Sequence, residues 1–332
     1  MPVTHPRINV STSGLLSSAL ATANNALFDT LGNADYQPPP IVVGAFEQAS
    51  SEGAQETYAE PESTDPVSYW PRGTDRRRGA FGEQYSTIVN LDWSIGLLLH
   101  LNDLADDRSG GLIRQRVTNQ VARFLELKER ILIQIITAAT DPDLLPAIPT
   151  DPGDGLALFS ASHAWVTNGN IITGSGVATV NAILTDLFTL IERYGNIVDT
   201  ASQPFFPKGV ELGQLRILAG QRNRQVWAET LKAVVIPGGL NASSTISNVV
   251  VDQLNNNIHF TSRITDDDWF VYLDYPGKKK PLILQERQPV SQYETSMENS
   301  DFARDKKLIS FDSDSRFGVG INQSRMFMKV NN

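Results

Sequence analysis

Cysteine is absent from the 332-residue chain, which excludes disulfides, thiolate metal sites and cysteine nucleophiles together. Histidine is scarce: His5, His100, His163 and His259 lie far apart, none with a metal-type neighbour such as His-Glu-x-x-His, so each reads as structural. Basic charge is outnumbered, with 28 Lys and Arg against 37 Asp and Glu and a formal net charge of -9. Such a surface repels DNA and anionic membrane and argues against sequence-reading nucleic-acid binding. Lysine does not occur before Lys128. No apolar run approaches the roughly 18 residues that suggest a membrane-spanning helix. Residues 1–28 contain Arg7 as their one basic residue, and Ser, Thr and Asn interrupt their apolar positions, so they do not read as a secretory signal. Cytoplasmic synthesis is expected.

What is present is an ordinary globular composition, 41% hydrophobic and 20% charged, in a chain long enough for one large core or two modest ones with appendages. Leu15, Leu16, Ala19, Leu20, Ala23 and Leu27 predict a short amphipathic helix over 12–31, stopped by Gly32. From Asp35 to Arg78 the pattern is lost among prolines and Ser/Gly/Glu, which suggests an arm lying on another subunit. Residues 79–105 alternate in a way that predicts two strands of an extended hairpin. The helical stripe Val117, Val121, Phe124, Leu125, Ile131, Leu132, Ile135 and Ile136 predicts a helix over 112–139 of roughly 40 Å, with Asp106 and Asp107 near its positive end, Glu126–Arg130 as an i,i+4 pair and Asp141-Pro142 as its stop. Leu156–Ser160 reads as a short strand and Val177–Tyr194 as a second helix closed by Gly195. Further on, 215–219 and 258–264 read as strands, 221–233 as a helix, Trp269–Leu273 with Leu282–Gln285 as a hairpin, and 321–330 as a last strand.

Candidate chemistry is thin. Asp266-Asp267-Asp268 has the residue type of a hard-cation site, but three adjacent side chains point in different directions and a polar strand entrance explains them. Gly174-Ser175-Gly176 lacks the Lys-Ser/Thr of a phosphate loop and reads as a turn. The one dense basic cluster is Arg76-Arg77-Arg78 with Arg72 close by. It fits a solvated loop and an inter-subunit contact to carboxylates equally well, and in the second case Trp70 would be its aromatic anchor.

Several segments, in order along the chain, resemble the Mu-like family of phage major head subunits. Asp106-Asp107-Arg108-Ser109-Gly110 resembles the segment before that family's long helix. Asp154-Gly155 with Leu158-Phe159-Ser160 and His163 is similar to the segment that follows it. Lys280-Pro281-Leu282-Ile283-Leu284-Gln285-Glu286-Arg287 and Phe311-Asp312 to Arg316-Phe317-Gly318 are similar to its C-terminal region. The resemblance runs from about residue 58 to the end.

It implies an α+β chain of the Hong Kong 97 phage capsid type: an N-terminal arm (1–65), an extended loop (66–103), a peripheral domain with a spine helix (104–165), an axial domain (166–275) and a return to the peripheral domain (276–332). It implies a non-enzymatic shell subunit without cofactor or metal, forming hexamers and pentamers with itself and enclosing double-stranded DNA. Scaffold, portal and decoration proteins would be its other partners, and the virion its location. Residues such as Asp106, Asp107, Asp154, Gly155, Phe159, His163, Pro281, Gln285 and Arg287 would be structural. Some shells of this fold cross-link a loop lysine to a neighbour's asparagine, and the loop here has no lysine, so non-covalent stabilisation is expected. An encapsulin-type nanocompartment, a metal-dependent hydrolase using Asp103, Asp106, Asp107 and His163, and a tail or decoration protein are the rival readings.

Overall fold

The computed structural model describes residues 38–61, 69–73, 75, 83–100, 112–138, 144, 148, 152, 154–177, 179–199, 201–232, 235–237, 245–247, 254, 256–295 and 300–332. The expected helix over 12–31 lies outside them. The elements begin with α1 (Pro40–Gly44), β1 (Phe46–Ser50), β2 (Gln55–Pro61), β3 (Glu83–Val89), β4 (Leu91–His100) and α2 (Leu112–Thr137). They continue with β5 (Ile171–Thr173), α3 (Val180–Gly195), β6 (Leu215–Gly220), α4 (Arg224–Lys232), β7 (Val235–Pro237), β8 (Thr245–Ser247), β9 (Ile258–Thr261) and β10 (Trp269–Leu273). The chain ends with β11 (Leu282–Thr295), α5 (Asp301–Lys306), β12 (Leu308–Ile321) and β13 (Phe327–Asn331). It divides into two compact units, residues 39–90, 129–287 and 318–332 in the larger and 91–128 with 288–317 among the described residues of the smaller.

The larger unit is built on a five-stranded sheet of order β5-β13-β10-β6-β9. β10 reads Trp-Phe-Val-Tyr-Leu, apolar on both sides, and all five residues are buried, as befits a central strand covered on both faces. Trp269, Val271 and Leu273 join Leu215, Ile217, Met328 and Val330 in a core closed by Ile183, Leu187, Leu190 and Tyr194 of α3 and by Trp227 of α4. On the other face Phe270 and Phe327 meet Phe159 at ring-centroid distances of 5.6 and 6.3 Å, and the Tyr272 hydroxyl donates to the Ile41 carbonyl. Each such fully buried apolar side chain contributes about 1.5–3 kcal/mol. α3 starts at Val180, a few residues after the expected Val177, because Thr179 is extended and its hydroxyl caps the Ala182 N–H at 3.3 Å.

Several pairings differ from the sequence reading. β10 and β11 are not a hairpin with each other: β10 pairs with β6 and β13, and β11 pairs in parallel with β1, Phe46 opposite Leu282. β13 belongs to the same sheet as β6 and β10, so the last residues of the segment 276–332 complete a sheet otherwise built from 171–273. The stretch 35–78, read as patternless, holds α1, β1 and β2, and β2 pairs antiparallel with β3. Its strands were hidden because their partners lie far away in the chain. Leu156–Ser160 is not a strand. Side chains satisfy its backbone in place of a ladder: Asp154 takes the Leu156 N–H, Asn170 takes the Ser160 N–H, and Asn170 Nδ2 donates to the Leu158 carbonyl at 2.7 Å.

In the smaller unit β4 pairs antiparallel with β12 from Leu91–Phe317 to His100–Leu308. Both strands expected over 79–105 exist, but β3 and β4 do not pair with each other. Only Asn90 separates them, too little for a hairpin turn, and each continues to a different partner. Trp93 stacks on Phe317 at 5.2 Å and donates its indole N–H to the Phe317 carbonyl at 3.2 Å. The expected long helix is α2, 26 residues and about 39 Å at 1.5 Å per residue. Glu126 on it accepts from Arg123 at 2.9 Å. Ala138, left-handed at φ 51°, follows its end, ahead of the expected Asp-Pro stop.

Candidate functional site

Of the expected contact residues, Trp70 and Arg72 fall in the described turn 69–73, whereas Arg76, Arg77 and Arg78 lie outside the described residues. Trp70 is 51% exposed and Tyr69 beside it 89%, so this turn carries two large rings in water. Tyr69 was not singled out from the sequence, although its neighbour was. The turn lies in the connection between β2 and β3, whose pairing runs from Gln55–Val89 to Pro61–Glu83. Period-two alternation gives this ribbon two different faces. One carries exposed Gln55, Thr57, Tyr85, Thr87 and Val89, with Thr57 and Thr87 hydroxyls 3.2 Å apart across the strands. That face has no charge at these positions in a chain of net charge -9. Two large apolar side chains stand in water on it, Tyr85 at 60% and Val89 at 52% exposure.

The ribbon's other face is rooted by a polar network around Gln285. Its Nε2 donates to the Ile88 carbonyl and to Asn90 Oδ1, each at 2.9 Å, and its Oε1 accepts from Tyr58 Oη at 3.1 Å. Asn90 Nδ2 passes the chain on to Ser51 Oγ at 2.7 Å and the Gly53 carbonyl at 2.9 Å. Ser51 Oγ donates to Glu56 Oε1, which also accepts the N–H groups of Glu52 and Gly53. The Gly53 N–H, the Ser51 hydroxyl and the Glu52 N–H together hold the Glu56 carboxyl below its ordinary range, with Arg287 adding a smaller attraction. Burial pushes the Tyr58 hydroxyl up. Gly318 completes the fit: a Cβ there would stand 2.5 Å from the Val89 carbonyl oxygen and 2.9 Å from Gln285 Nε2. The motif residues Gln285, Arg287 and Gly318 thus meet at one network, whereas the buried Pro281 offers its carbonyl elsewhere, to the N–H groups of Asn322 and Gln323 at 2.9 and 3.0 Å.

A second motif group is equally local. Asp154 Oδ2 lies 3.0 Å from His163 Nδ1, His163 Nε2 lies 3.2 Å from the Leu158 carbonyl, and Gly155 takes a left-handed φ of 76° between them. Phe159 is the plug that meets Phe270 and Phe327. Asp106 and Asp107 lie outside the described residues, as does Asp103 of the rival metal site. Among the described residues no group of three His, Asp or Glu could hold a metal ion. The Asp266–Asp268 run is divided: Asp267 pairs with Arg222 at 3.1 Å, and Asp268 pairs with Lys329 at 2.5 Å and accepts the Asn332 N–H. Burial, then Asp268, raises the Asp266 carboxyl. Ser175 of the Gly-Ser-Gly turn donates its N–H to both oxygens of the buried Asp186, which holds the turn against α3. His259 bonds Glu129 of α2 at 3.3 Å, and Thr261 donates to the same carboxylate at 2.8 Å. The His259 bond is the main reason that this carboxyl lies below its ordinary range. No helix among the described residues is long and apolar enough to cross a membrane.

No family model and no curated protein matches the chain. Solved structures do. The capsid structure of cyanophage P-SCSP1u matches with a TM-score of 0.54 at 12% identity, over 90% of this chain and 89% of that one. A structure from Mycobacterium phage Adephagia matches with a TM-score of 0.54 at 13% identity, over 91% and 92%. One from Mycobacterium phage Cain gives 0.51 at 14%, over 91% and 93%. Similarity at this identity concerns the fold, and the fold is the α+β phage capsid fold of Hong Kong 97 type that the motifs implied.

Proposed function

We propose that this chain is the major capsid subunit of a tailed bacteriophage, of the Mu-like type, and that its work is self-assembly without catalysis. The observation that carries the reading is the match to a phage capsid over nine-tenths of both chains. The exposed Tyr85 and Val89 of the ribbon and the exposed Tyr69 and Trp70 support it, because large apolar side chains left in water suit a surface that a neighbouring subunit covers. In this reading identical subunits form hexamers and pentamers around the axial domain of 166–275. The arm (1–65) and the extended loop (66–103) overlap neighbours and bury area that no monomer can bury alone. Arg72 with Arg76, Arg77 and Arg78, in that loop, would meet a neighbour's carboxylates.

The shell would enclose double-stranded DNA without reading it. An acidic subunit does not grip the polymer and lets it slide into place. Assembly would take place in the host cytoplasm with scaffold and portal proteins, and with decoration proteins where the particle uses them. Electron microscopy and sedimentation of the full-length protein, alone and with its scaffold, test this. Closed shells, tubes or rings of five and six are the expected result, and a monomer under both conditions would refute it. Shells that co-purify with an enzyme cargo would replace it by the nanocompartment reading.

A further inference from the structure

We infer that Ile88 is the positioning residue of the β2–β3 ribbon: seated in a notch that Gly318 and Gly320 leave in β12, it holds the ribbon's uncharged face in one orientation before any neighbour is met. The inference rests on the reading of that face as a subunit contact. Among the described residues β2 and β3 form a sheet of two strands. Such a ribbon is marginal by itself and takes its orientation from whatever grips its root. There β3 alternates, with Thr87 and Val89 exposed on either side of Ile88, which is 2% exposed. Glu56, Tyr58 and Ser86 share the inward side with it and are only partly buried, so among the described side chains of the ribbon Ile88 is the one apolar group that is fully enclosed.

What receives it is a pair of missing side chains. Gly318 and Gly320 stand two apart in β12 and so face the same side of that strand. A Cβ at Gly320 would collide with Ile88 Cδ1 and stand 2.5 Å from its Cγ1, and one at Gly318 would stand 2.8 Å from its Cγ2. Neither glycine has a positive φ, so neither is there for a left-handed backbone, and room for Ile88 is what the two positions supply. Ile283 of β11 closes the notch, its Cγ2 3.8 Å from where a Cβ of Gly320 would lie.

The grip fixes more than a distance. Isoleucine is branched at Cβ and stiff about χ1, so a ribbon held by both Cγ1 and Cγ2 resists rolling about its own axis. A slip by one residue would offer the notch Thr87 or Val89 and turn every side chain of the strand to the other face. Gln285 Nε2 holds the Ile88 carbonyl at 2.9 Å, so the backbone and the side chain of one residue are fixed together. Tyr85, Thr87 and Val89 are thereby presented in order, and association is spared the cost of ordering them.

Hydrogen exchange of the full-length, unassembled subunit tests this, in the unaltered protein and in Ile88→Ala, Gly320→Ala and the double variant, with particle formation followed by light scattering. In Ile88→Ala the ladder amides of the ribbon should lose roughly tenfold or more of their protection while the Val271 amide, at the centre of the five-stranded sheet, keeps its own. Particles should form more slowly although every side chain of the contact face is intact. Gly320→Ala should act in the same way alone and add little to Ile88→Ala, because the new methyl then meets an empty notch. A ribbon without protection in the unaltered subunit, an Ile88→Ala loss shared equally by Val271, or particles formed at the unaltered rate would overturn the inference. So would a Gly320→Ala effect as large in the double variant as alone. If Ile88→Ala does not fold, Ile88→Val, which removes only Cδ1, should show the same loss to a smaller degree, and no loss overturns the inference. If the unaltered protein forms no particles, the subunit-contact reading fails, and exchange still decides whether Ile88 holds the ribbon.

Discussion

Replacing Gln285 by leucine keeps the side-chain volume and removes the three bonds that Gln285 contributes to the network rooting the ribbon. The Ile88 carbonyl and Asn90 Oδ1 each lose a donor at 2.9 Å, in residues only 2% and 5% exposed, while the half-buried Tyr58 hydroxyl can turn to water. The orphaned Asn90 Oδ1 costs about 1–3 kcal/mol, and the Ile88 carbonyl, which keeps its place in the ladder opposite Glu56, loses a second bond worth about 0.5–1.5 kcal/mol. The leucine's extra apolar surface offsets about 1 kcal/mol of this. The net loss is about 2 kcal/mol, or about 30-fold in the folding equilibrium. Urea unfolding of the unassembled subunit, followed by tryptophan fluorescence, should show a lower midpoint at an unchanged slope. Gln285→Glu should lose more, since a carboxylate cannot donate to the Ile88 carbonyl. A leucine variant within about 0.5 kcal/mol of the unaltered protein would refute the network's role.

Gly318→Ala should destabilise by about 1–3 kcal/mol, because the backbone carbonyl of Val89 cannot move away from the new methyl, and a thermal melt reads it. The Glu129 carboxyl is lowered in the folded state, so its contribution is present above the ordinary carboxylate range and is lost as pH falls through the lowered value. In Glu129→Gln the fall of stability below about pH 4.5 should therefore be shallower than in the unaltered protein, as measured by denaturation across pH. Tyr69→Ala with Trp70→Ala should leave the melting temperature of the subunit within a degree or two and lower the yield of assembled particles severalfold by sedimentation. Mature particles should run as a single monomer band on a denaturing gel, since the first lysine is Lys128 and the loop offers none for a covalent link.

The longer helices were legible because their signal is local: the stripes of α2 and α3 repeat within a few turns, although the Thr179 cap that starts the second went unread. Several later strands were legible as strands but not as pairs, and β1 and β2 were not legible at all. Nothing near Phe46 points to Leu282, and nothing near Trp269 points to Val330. Leu156–Ser160 misled because a short apolar run looks the same whether a neighbouring strand or the side chain of Asn170 satisfies the backbone. The motif residues could be found by resemblance, yet what they do could not. The partners of Gln285 lie 195 and 227 residues away, and the contacts of His163 are set by how a short loop closes on itself.

The exposed face of the β2–β3 ribbon is uncharged at Gln55, Thr57, Tyr85, Thr87 and Val89, whereas the basic cluster of the same connection is all charge. Dissolved salt treats the two differently. At 1 M the screening length is about 3 Å, which weakens a contact made through arginines, whereas contacts between hydroxyls, rings and methyl groups are not screened. In the proposed shell the arginines would set when subunits associate and the ribbon how firmly they stay, so raising the ionic strength would slow the growth of particles without dissolving those already made.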